Sequence, residues 1–475
     1  MNEDRKASFD RSIVEGPVSK AVWKLAWPTM LQNMIAGLQG IVDHTMVGHY
    51  VGFNGNAAIG VSWQIFLVVV VFVSSLYGGM GVLVARFAGA SDSEKVNRVV
   101  YQVFLVSVIL ACGILAPLGY FFSPALLDFV NAAPAVKTEA LSYLRVMFVF
   151  SFGKLMFFML GGAMRAAGDA RTPLRLGLIM TVVNIVANII LIPGLGPIPG
   201  FGTLGAAIGT VIASMLAAGI GLYWLFGNQL VIRFSKKMNW RPDWKIIGQL
   251  FKFGLPTGFQ GIAVNIGGVL LLRFIGSLDQ SAEAQAAYTV GYTQLFSLIT
   301  WTSVGLMGAS AAVAGQNLGA GKPERSMLAP RSASQIGLLL AGMIGALFWF
   351  LPNVLLGVFG MDEPVVVAIG AQLLGFLAVS GLFITVALSY TGGLQGAGDT
   401  RSPLYISIIS QVVVPIGICV AMQTFFGLQA IHVWSAIVAG HIMRALLSVL
   451  RFSQGKWKNI KVEVDDSSNP KMAAT

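Results

Sequence analysis

Charged residues and cysteines are both scarce in this sequence. Only 11% of its 475 residues are charged, whereas about a quarter are charged in ordinary soluble domains. The two cysteines, Cys112 and Cys419, lie in apolar stretches, and two such residues exclude a disulfide framework or a cysteine-rich zinc site. The low charge excludes a soluble globular protein, and the hydrophobic share of 56% predicts a membrane protein.

Enzymatic signatures are also missing. The sequence contains neither His-Glu-x-x-His nor Gly-x-Ser-x-Gly. The stretch GQNLGAGKPE at 315–324 resembles a phosphate-binding loop, but Gln316 and Pro323 stand where that loop needs Gly and Ser or Thr. The four histidines are too scattered to predict a metal site. We therefore expect no enzyme, no cofactor and no metal, and an ion gradient rather than ATP as the energy source for any uphill transport.

Long apolar runs dominate what is present. A transmembrane helix needs about 20 mostly apolar residues. About twelve runs meet this requirement, at 25–47, 57–82, 99–121, 139–161, 174–194, 203–227, 254–276, 286–313, 334–356, 368–392, 404–426 and 429–451. They predict an all-α polytopic membrane protein with an N-lobe at 25–227, a basic linker at 228–252 and a C-lobe at 253–451. The remaining segments, 1–24 and 452–475, are predicted to be cytoplasmic.

The positive charges follow the predicted topology. The net charge is +11, but nearly all Lys and Arg residues fall in the two terminal segments and the even-numbered loops. Positively charged loops stay in the cytoplasm, so we expect both termini to be cytoplasmic. This distribution argues against nucleic acid as a partner. We expect the lipid bilayer and a small molecule as partners, a monomer, and a bacterial inner membrane as the location.

One short phrase occurs twice, about 230 residues apart. Residues 165–173 read RAAGDARTP, and residues 395–403 read QGAGDTRSP. Together with weaker matches elsewhere, the phrase indicates two parallel six-helix repeats related by an axis along the membrane normal. Each copy is predicted to be a tight cytoplasmic turn in which Gly ends one helix and Thr172 or Ser402 caps the next. The turn residues are Gly168, Asp169 and Arg171 in the first copy and Gly398, Asp399 and Arg401 in the second. An Asp169–Arg171 contact is a further possibility as a cytoplasmic gate.

Polar side chains enter the first apolar run. An ionisable group inside a span is costly, by about 2.5 to 3.5 kcal/mol on insertion scales, and therefore marks a functional candidate. Asp43 is the one acid well inside a span, and Gln32, Gln39 and Asp43 share one helix face, with Asn33 beside it. This face is expected to look into protein or water rather than lipid.

The fifth and fourth runs supply possible partners for Asp43. Asn184 and Asn188 are four residues apart and can present amide groups from one helix face, although such amides also join helices without any further role. Lys154 lies mid-span, and we expect it near Asp43, where it competes with a bound proton or cation. Further polar candidates for a cavity are Gln64, Gln260 and Gln294.

These residues together resemble a known family. The two Ala-Gly-Asp-x-Arg-x-Pro turns, the GQNLGAG loop, the Pro-Thr-x-x-Gln starts of runs one and seven, and Asp43-His-Thr-Met-Val-Gly48 are similar to the multidrug and toxic compound extrusion (MATE) transporters. The resemblance implies a V-shaped fold of two lobes. It makes Asp43 the first-helix acid, Asn184 the fifth-helix Asn of an N-lobe ion site, and Pro28 the position about which the first helix bends.

The resemblance also implies a subtype. Asn188 stands where some DinF-type members have a second Asp, and the acids of the NorM-type C-lobe site have no counterpart at 263–265 or 384–385. A DinF-like arrangement follows, with H⁺ or Na⁺ as the coupling ion. The implied activity is export of cationic amphipathic compounds in exchange for that ion. Alternatives are a flippase for lipid-linked precursors in the same superfamily, a membrane-embedded enzyme, and a channel or scaffold.

Overall fold

The computed structural model describes residues 9–234, 238 and 240–462, which form a bundle of long helices. The first half contains α1 (Val18–Tyr50), α2 (Phe53–Gly89), α3 (Ser93–Phe129), α4 (Pro134–Val149 and Ser151–Ala166), α5 (Arg171–Leu191) and α6 (Gly202–Phe226). The second half contains α7 (Trp244–Ile275), α8 (Ser281–Gly319), α9 (Pro323–Phe350), α10 (Pro364–Gly396), α11 (Arg401–Phe425) and α12 (Ala430–Ser453). Short helices occupy Ser12–Glu15, Pro352–Gly357 and Lys456–Asn459.

The predicted all-α membrane fold is confirmed, because helices cover most of each predicted run. Within the described ranges, ten helices are long and apolar enough to cross a membrane, and the bent pair in α4 makes an eleventh. Helix α1 does not pass the same test, since its polar face lowers its mean hydropathy. Helices α5, α8 and α9 pack against α1, and its buried residues lie mainly in its first half, up to Met30. The helices also extend beyond the apolar runs, and α7 begins at Trp244, inside the predicted linker.

Helix α4 is not the single straight span that the apolar run predicts. Its two parts meet at Phe150 with a bend of 52°. Just after the bend, Gly153 lies against the backbone of α6, where a Cβ atom would sit 2.7 Å from the Met215 nitrogen. Lys154 therefore lies one turn beyond a bend rather than in the middle of a regular helix.

The first repeated turn has the expected glycine but a different cap. Gly168 has φ +99°, a left-handed value that glycine adopts without strain. The Asp169 carboxylate, not Thr172, caps α5, since its Oδ1 accepts from the backbone N–H groups of Arg171 (2.9 Å) and Thr172 (3.0 Å). The Thr172 hydroxyl instead donates to Asp169 Oδ2 at 2.5 Å. Within the described chain, the side chains of Asp169 and Arg171 form no ion pair, so the proposed gate contact between them is absent.

The second turn repeats this geometry and adds an ion pair. Gly398 has φ +96°, and Asp399 rather than Ser402 is the cap, accepting from the Ser402 backbone (3.1 Å) and hydroxyl (2.8 Å). Arg451 of α12 also donates to Asp399 from two nitrogens, at 3.0 and 2.9 Å. Arg401 is exposed. The second turn is thus tied to the last helix.

Glycines join the two halves at the end of the bundle where the described chain begins and ends. A Cβ atom on Gly89 of α2 would lie 1.9 Å from the carbonyl oxygen of Gln316 in α8. A Cβ atom on Gly319 of α8 would lie 1.9 Å from the carbonyl oxygen of Arg86 in α2. Side chains essentially never approach this closely, so only glycine allows the two backbones to touch. We call this reciprocal contact the glycine seam.

The segment before α1 lies across the seam. Ile13 is fully buried, and its side chain reaches the Gly168 turn of the first half. Its carbonyl oxygen accepts from Asn317 Nδ2 of α8 at 3.2 Å. Lys322, in the turn after α8, donates to the carbonyl of Val14 at 3.0 Å. Residues 12–16 therefore contact both halves of the protein.

The segment after α12 also lies across the seam. Trp457 is almost fully buried and stacks on Phe452. The guanidinium of Arg86, on α2, donates to the carbonyl oxygens of Ile460 (2.8 Å) and Ala397 (3.3 Å). Residues 456–460 thus connect the second half to α2, and both ends of the described chain hold this side of the bundle together.

Candidate functional site

A chain of hydrogen bonds links Asp43 to α5 and α6. Asn188 Nδ2 donates to Asp43 Oδ1 at 2.6 Å and lies 3.4 Å from Asn184 Oδ1. Asn184 Nδ2 in turn donates to Thr210 Oγ1 at 3.2 Å. Both asparagines are fully buried. The structure therefore brings the three predicted residues together and adds Thr210. Its sequence signal was the i, i+7, i+11 spacing of Thr203, Thr210 and Ser214, which places three hydroxyls along one helix face.

The cluster offers oxygen atoms to a cation. Asn188 Oδ1 is buried and has no hydrogen-bond partner among the described residues. It lies against Gly209, where a Cβ atom would sit 2.3 Å away, so glycine provides the room it occupies. Hard cations prefer carboxylate, carbonyl and hydroxyl oxygens. Asp43, Asn184, Asn188 and Thr210 supply this donor set, and Asp43 is also able to take up a proton.

Lys154 lies beside this cluster without binding it directly. Its ammonium is 4.6 Å from the centre of the Trp63 ring and 5.6 Å from that of Phe66, both on α2. A cation over an aromatic face is attracted by the ring quadrupole. The charges of Lys154 and Asp43 are close enough to attract each other, although the two form no direct ion pair in the described structure. The expected proximity is present, and Lys154 has its own aromatic site.

The other polar residues of α1 point in different directions. Gln39 accepts from the Thr181 hydroxyl of α5 at 2.9 Å, on the side of Asp43. Gln32 accepts from Arg165 of α4 at 3.3 Å. Asn33 instead faces the second half and donates to the Trp301 carbonyl of α8 at 3.2 Å. Asn33 is therefore an inter-lobe contact and lies apart from the Asp43 cluster.

The remaining predicted positions are separate from this cluster. Pro28 is buried within α1, which continues through it. Gln64 and Gln294 are exposed. Gln260 is buried in the second half, where it donates to Ser407 Oγ at 3.0 Å and accepts from Gln395 at 3.0 Å.

A cavity of about 490 Å³ lies beside Gln260, between α2 and helices α7, α8, α10, α11 and α12. His441 and Arg444 of α12 line it, and both are more than nine-tenths buried. The cavity was not predictable from Arg444, because an arginine near the end of an apolar run fits the positive-inside pattern equally well. His441 lies one turn earlier, well inside the same apolar run, and an ionisable residue at such a position was the available sequence signal for a polar site.

A two-halved bundle of membrane-spanning helices in which one half holds a single acid against two buried asparagines has the form of a polytopic membrane transporter. The MatE family model matches residues 28–190 and 256–421, and the chain belongs to this family of transporters, which are not enzymes. The two matches begin at Pro28 and Pro256, one in each predicted repeat. Whether the chain is of the DinF-like or the NorM-like type stays a prediction.

Named relatives resemble the chain over nearly its whole length. It is 27% identical over 447 residues to a probable multidrug resistance protein NorM of Thermotoga maritima, covering 93% of each chain. It is 24% identical to the multidrug export protein MepA of Staphylococcus aureus, covering 92% of this chain and 94% of that one.

Solved structures share the fold. An outward-facing conformation of a multidrug resistance MATE family transporter of the MOP superfamily matches with a TM-score of 0.87 and 21% identity, covering 94% of this chain and 98% of that one. A crystal structure of a MATE protein in the straight conformation matches with a TM-score of 0.84 and 22% identity, covering 94% and 99%.

Proposed function

We propose that this transporter is a secondary active multidrug exporter that exchanges cationic amphipathic compounds for H⁺ or Na⁺. The observation that carries the proposal is the Asp43–Asn188–Asn184 cluster, in which a half-buried, isolated acid meets two fully buried asparagines inside a membrane-spanning half. The names of the relatives, a multidrug resistance protein and a multidrug export protein, support the substrate class.

Asp43 takes up the coupling ion. When the carboxylate is ionised, the Asn188 amide donates to it at 2.6 Å. Rotation of that amide by half a turn exchanges its nitrogen and oxygen, so the same side chain accepts a hydrogen bond from protonated Asp43. With Na⁺, Asn184 and Asn188 act as neutral oxygen ligands. One residue pair is thus suited to both charge states of the acid.

Ion uptake is coupled to movement of α1. Neutralising Asp43 weakens its attraction to Lys154 and to hydrogen-bond donors on α5, which allows α1 to bend about Pro28, a position where the helix lacks one backbone hydrogen bond. Bending narrows the space between α1 and its neighbours in the first half and expels the substrate. The two halves then rock so that the site opens to the opposite side, where the ion leaves.

The driving force follows from the charge that crosses. One elementary charge moving through 100 mV supplies about 2.3 kcal/mol, which corresponds to roughly a 50-fold concentration ratio. Exchange of one proton for one monovalent cation moves no net charge, and then only the pH gradient drives export. We further propose a monomer in a bacterial inner membrane, with both termini in the cytoplasm.

Proteoliposomes test this proposal directly. Efflux of a fluorescent cationic dye is measured under a pH gradient and, separately, under a sodium gradient, for the intact protein, Asp43→Asn and the control Asp128→Asn, which alters an exposed acid. We expect one gradient to drive efflux, Asp43→Asn to abolish it, and the control to retain it. Normal export by folded Asp43→Asn rules out the proposed ion site.

A further inference from the structure

The cavity beside Gln260 differs in charge from the Asp43 cluster. Among the described residues that line it, none is an aspartate or a glutamate, and Arg444 carries a full positive charge. Its volume of about 490 Å³ lies in the range of small-molecule sites, about 300 to 1,000 Å³. The cavity is therefore large enough for a drug-sized ligand and electrostatically unsuited to a cation at its α12 wall.

Arg444 has no acceptor of its own. Only 6% of the residue is exposed, and its buried Nε makes no hydrogen bond within the described structure. None of its nitrogens pairs with a carboxylate or carbonyl group there, although Tyr292 in the same wall is close enough to interact with its charge. A buried charge without a partner is costly. An anionic group in the cavity would remove that cost by accepting charge-assisted hydrogen bonds.

Aromatic rings form a wall next to Arg444. Tyr292 and Phe296, one turn apart on α8, have ring centres 5.4 Å apart and planes within 28°. The ring of Phe296 stacks in turn on His441 of α12 at 5.9 Å and 15°. These three residues line the cavity, and His441 is held in place by a hydrogen bond with Ser380. Tyr288 also stacks on Tyr292, at 4.9 Å and 8°, and Phe296 is only 1% exposed. The ring faces are therefore covered by one another, and a planar aromatic ligand would meet ring edges, in the edge-to-face arrangement that aromatic pairs favour.

The remaining polar lining is neutral. The Gln260 side chain is already hydrogen-bonded to Ser407 and to Gln395, each at 3.0 Å. These neutral groups hold the cavity wall in place and add no charge to it. One unpaired guanidinium matches a single negative charge, as on a carboxylate, better than a phosphate group, which carries about −1.5 to −2. Guanidinium and carboxylate are also planar groups that bind in a two-pronged manner.

We propose that this cavity is a second ligand site, in which Arg444 binds the carboxylate of a planar aromatic compound whose ring contacts the edges of Tyr292 and Phe296. The inference rests on the proposed export function and assigns Arg444 as the residue that selects substrates carrying an acidic group. The Asp43 half would then handle the coupling ion, and the second half would hold the acidic group of the substrate.

Two dyes test the proposal: a rhodamine with a free benzoate group and the methyl ester of the same dye. Their binding to the purified full-length protein is measured by fluorescence polarisation, with thermal unfolding as the folding control. We expect the intact protein to bind the acid at least about tenfold more tightly than the ester. In Arg444→Gln we expect this preference to disappear. Equal binding of both dyes by the intact protein, or a preference that persists in Arg444→Gln, overturns the proposal.

A second variant covers the case in which Arg444→Gln does not fold. Val304 is 40% exposed and lines the same cavity, so Val304→Trp fills it while leaving Arg444 in place. We expect Val304→Trp to lose the tight binding of the acid, and retention of that binding overturns the proposal. Because binding needs no ion gradient, the two proposals fail separately. If a gradient drives export of the ester but the protein binds the acid no more tightly than the ester, only the proposal of a second ligand site is refuted. If binding of the acid depends on Arg444 but no gradient drives export, only the proposed exporter function is refuted.

Discussion

Alanine at Gly89 and Gly319 is expected to open the glycine seam. Each Cβ atom would lie 1.9 Å from a carbonyl oxygen of the other half, whereas real Cβ contacts essentially never fall below 3.0 Å, so the backbones must separate by about 1 Å. Overpacking of this kind costs about 1 to 3 kcal/mol. The cost falls only on the conformation in which the halves touch here, so the double variant shifts the conformational equilibrium by about 5- to 150-fold toward separation.

Spin labels at Glu94 and Arg401 measure this shift, because both residues are exposed at this end and belong to different halves. The native cysteines Cys112 and Cys419 are first replaced. We expect longer label distances to become dominant in Gly89→Ala/Gly319→Ala by pulsed electron paramagnetic resonance. The control Gly60→Ala, on α2 with no atom within 4 Å of the added Cβ, should leave the distances unchanged. An unchanged distribution in the double variant would refute the role assigned to the seam.

Three further predictions concern the Asp43 cluster; the first is measured by unfolding of the purified protein and the other two by gradient-driven dye efflux. Lys154→Met and Asp43→Asn should have non-additive effects on the free energy of unfolding, with a coupling of about 0.5 to 3 kcal/mol, because their charges attract each other; independent effects contradict that link. Gly209→Ala places a Cβ atom 2.3 Å from Asn188 Oδ1 and should slow export about tenfold or more, whereas Gly219→Ala, with open space around it, should not. Asn188→Leu removes the donor to Asp43 and should impair export, while Asn188→Asp, which keeps an oxygen ligand at this position, should retain part of it; the reverse order argues against ion ligation there.

The helices were predictable because hydropathy adds up along a chain. Each predicted run contains a helix even where single residues are polar, and the turn glycines Gly168 and Gly398 both take the left-handed conformation expected of a helix end. The approach of Asn188 to Asp43 was also predictable, since polar side chains inside a membrane form hydrogen bonds between neighbouring helices. Whether this cluster binds the coupling ion stays a prediction for the efflux measurement.

The features that the sequence did not predict share a physical cause: each depends on contacts with a helix that is distant along the chain. The bend at Phe150 leaves the apolar run uninterrupted, and the close approach of Gly153 to α6 that accompanies it is visible in the structure alone. Asn33 lies beside Gln32 in sequence but reaches the Trp301 carbonyl of the other half. The sequence around Arg444 reads as an ordinary positive-inside flank, because the aromatic wall beside it comes from α8, far away in the chain.

The segments that precede α1 and follow α12 in sequence are held by hydrogen bonds to their backbone carbonyl oxygens. These carbonyls belong to Ile13 and Val14 in the first segment and to Ile460 in the second. A carbonyl accepts a hydrogen bond whatever side chain the residue carries, so most substitutions there leave these bonds intact. Shortening the chain removes them. Purification tags and fluorescent fusions joined close to these residues would therefore bias which state of the transporter is isolated, and the spacer in front of such a tag becomes an experimental variable in its own right.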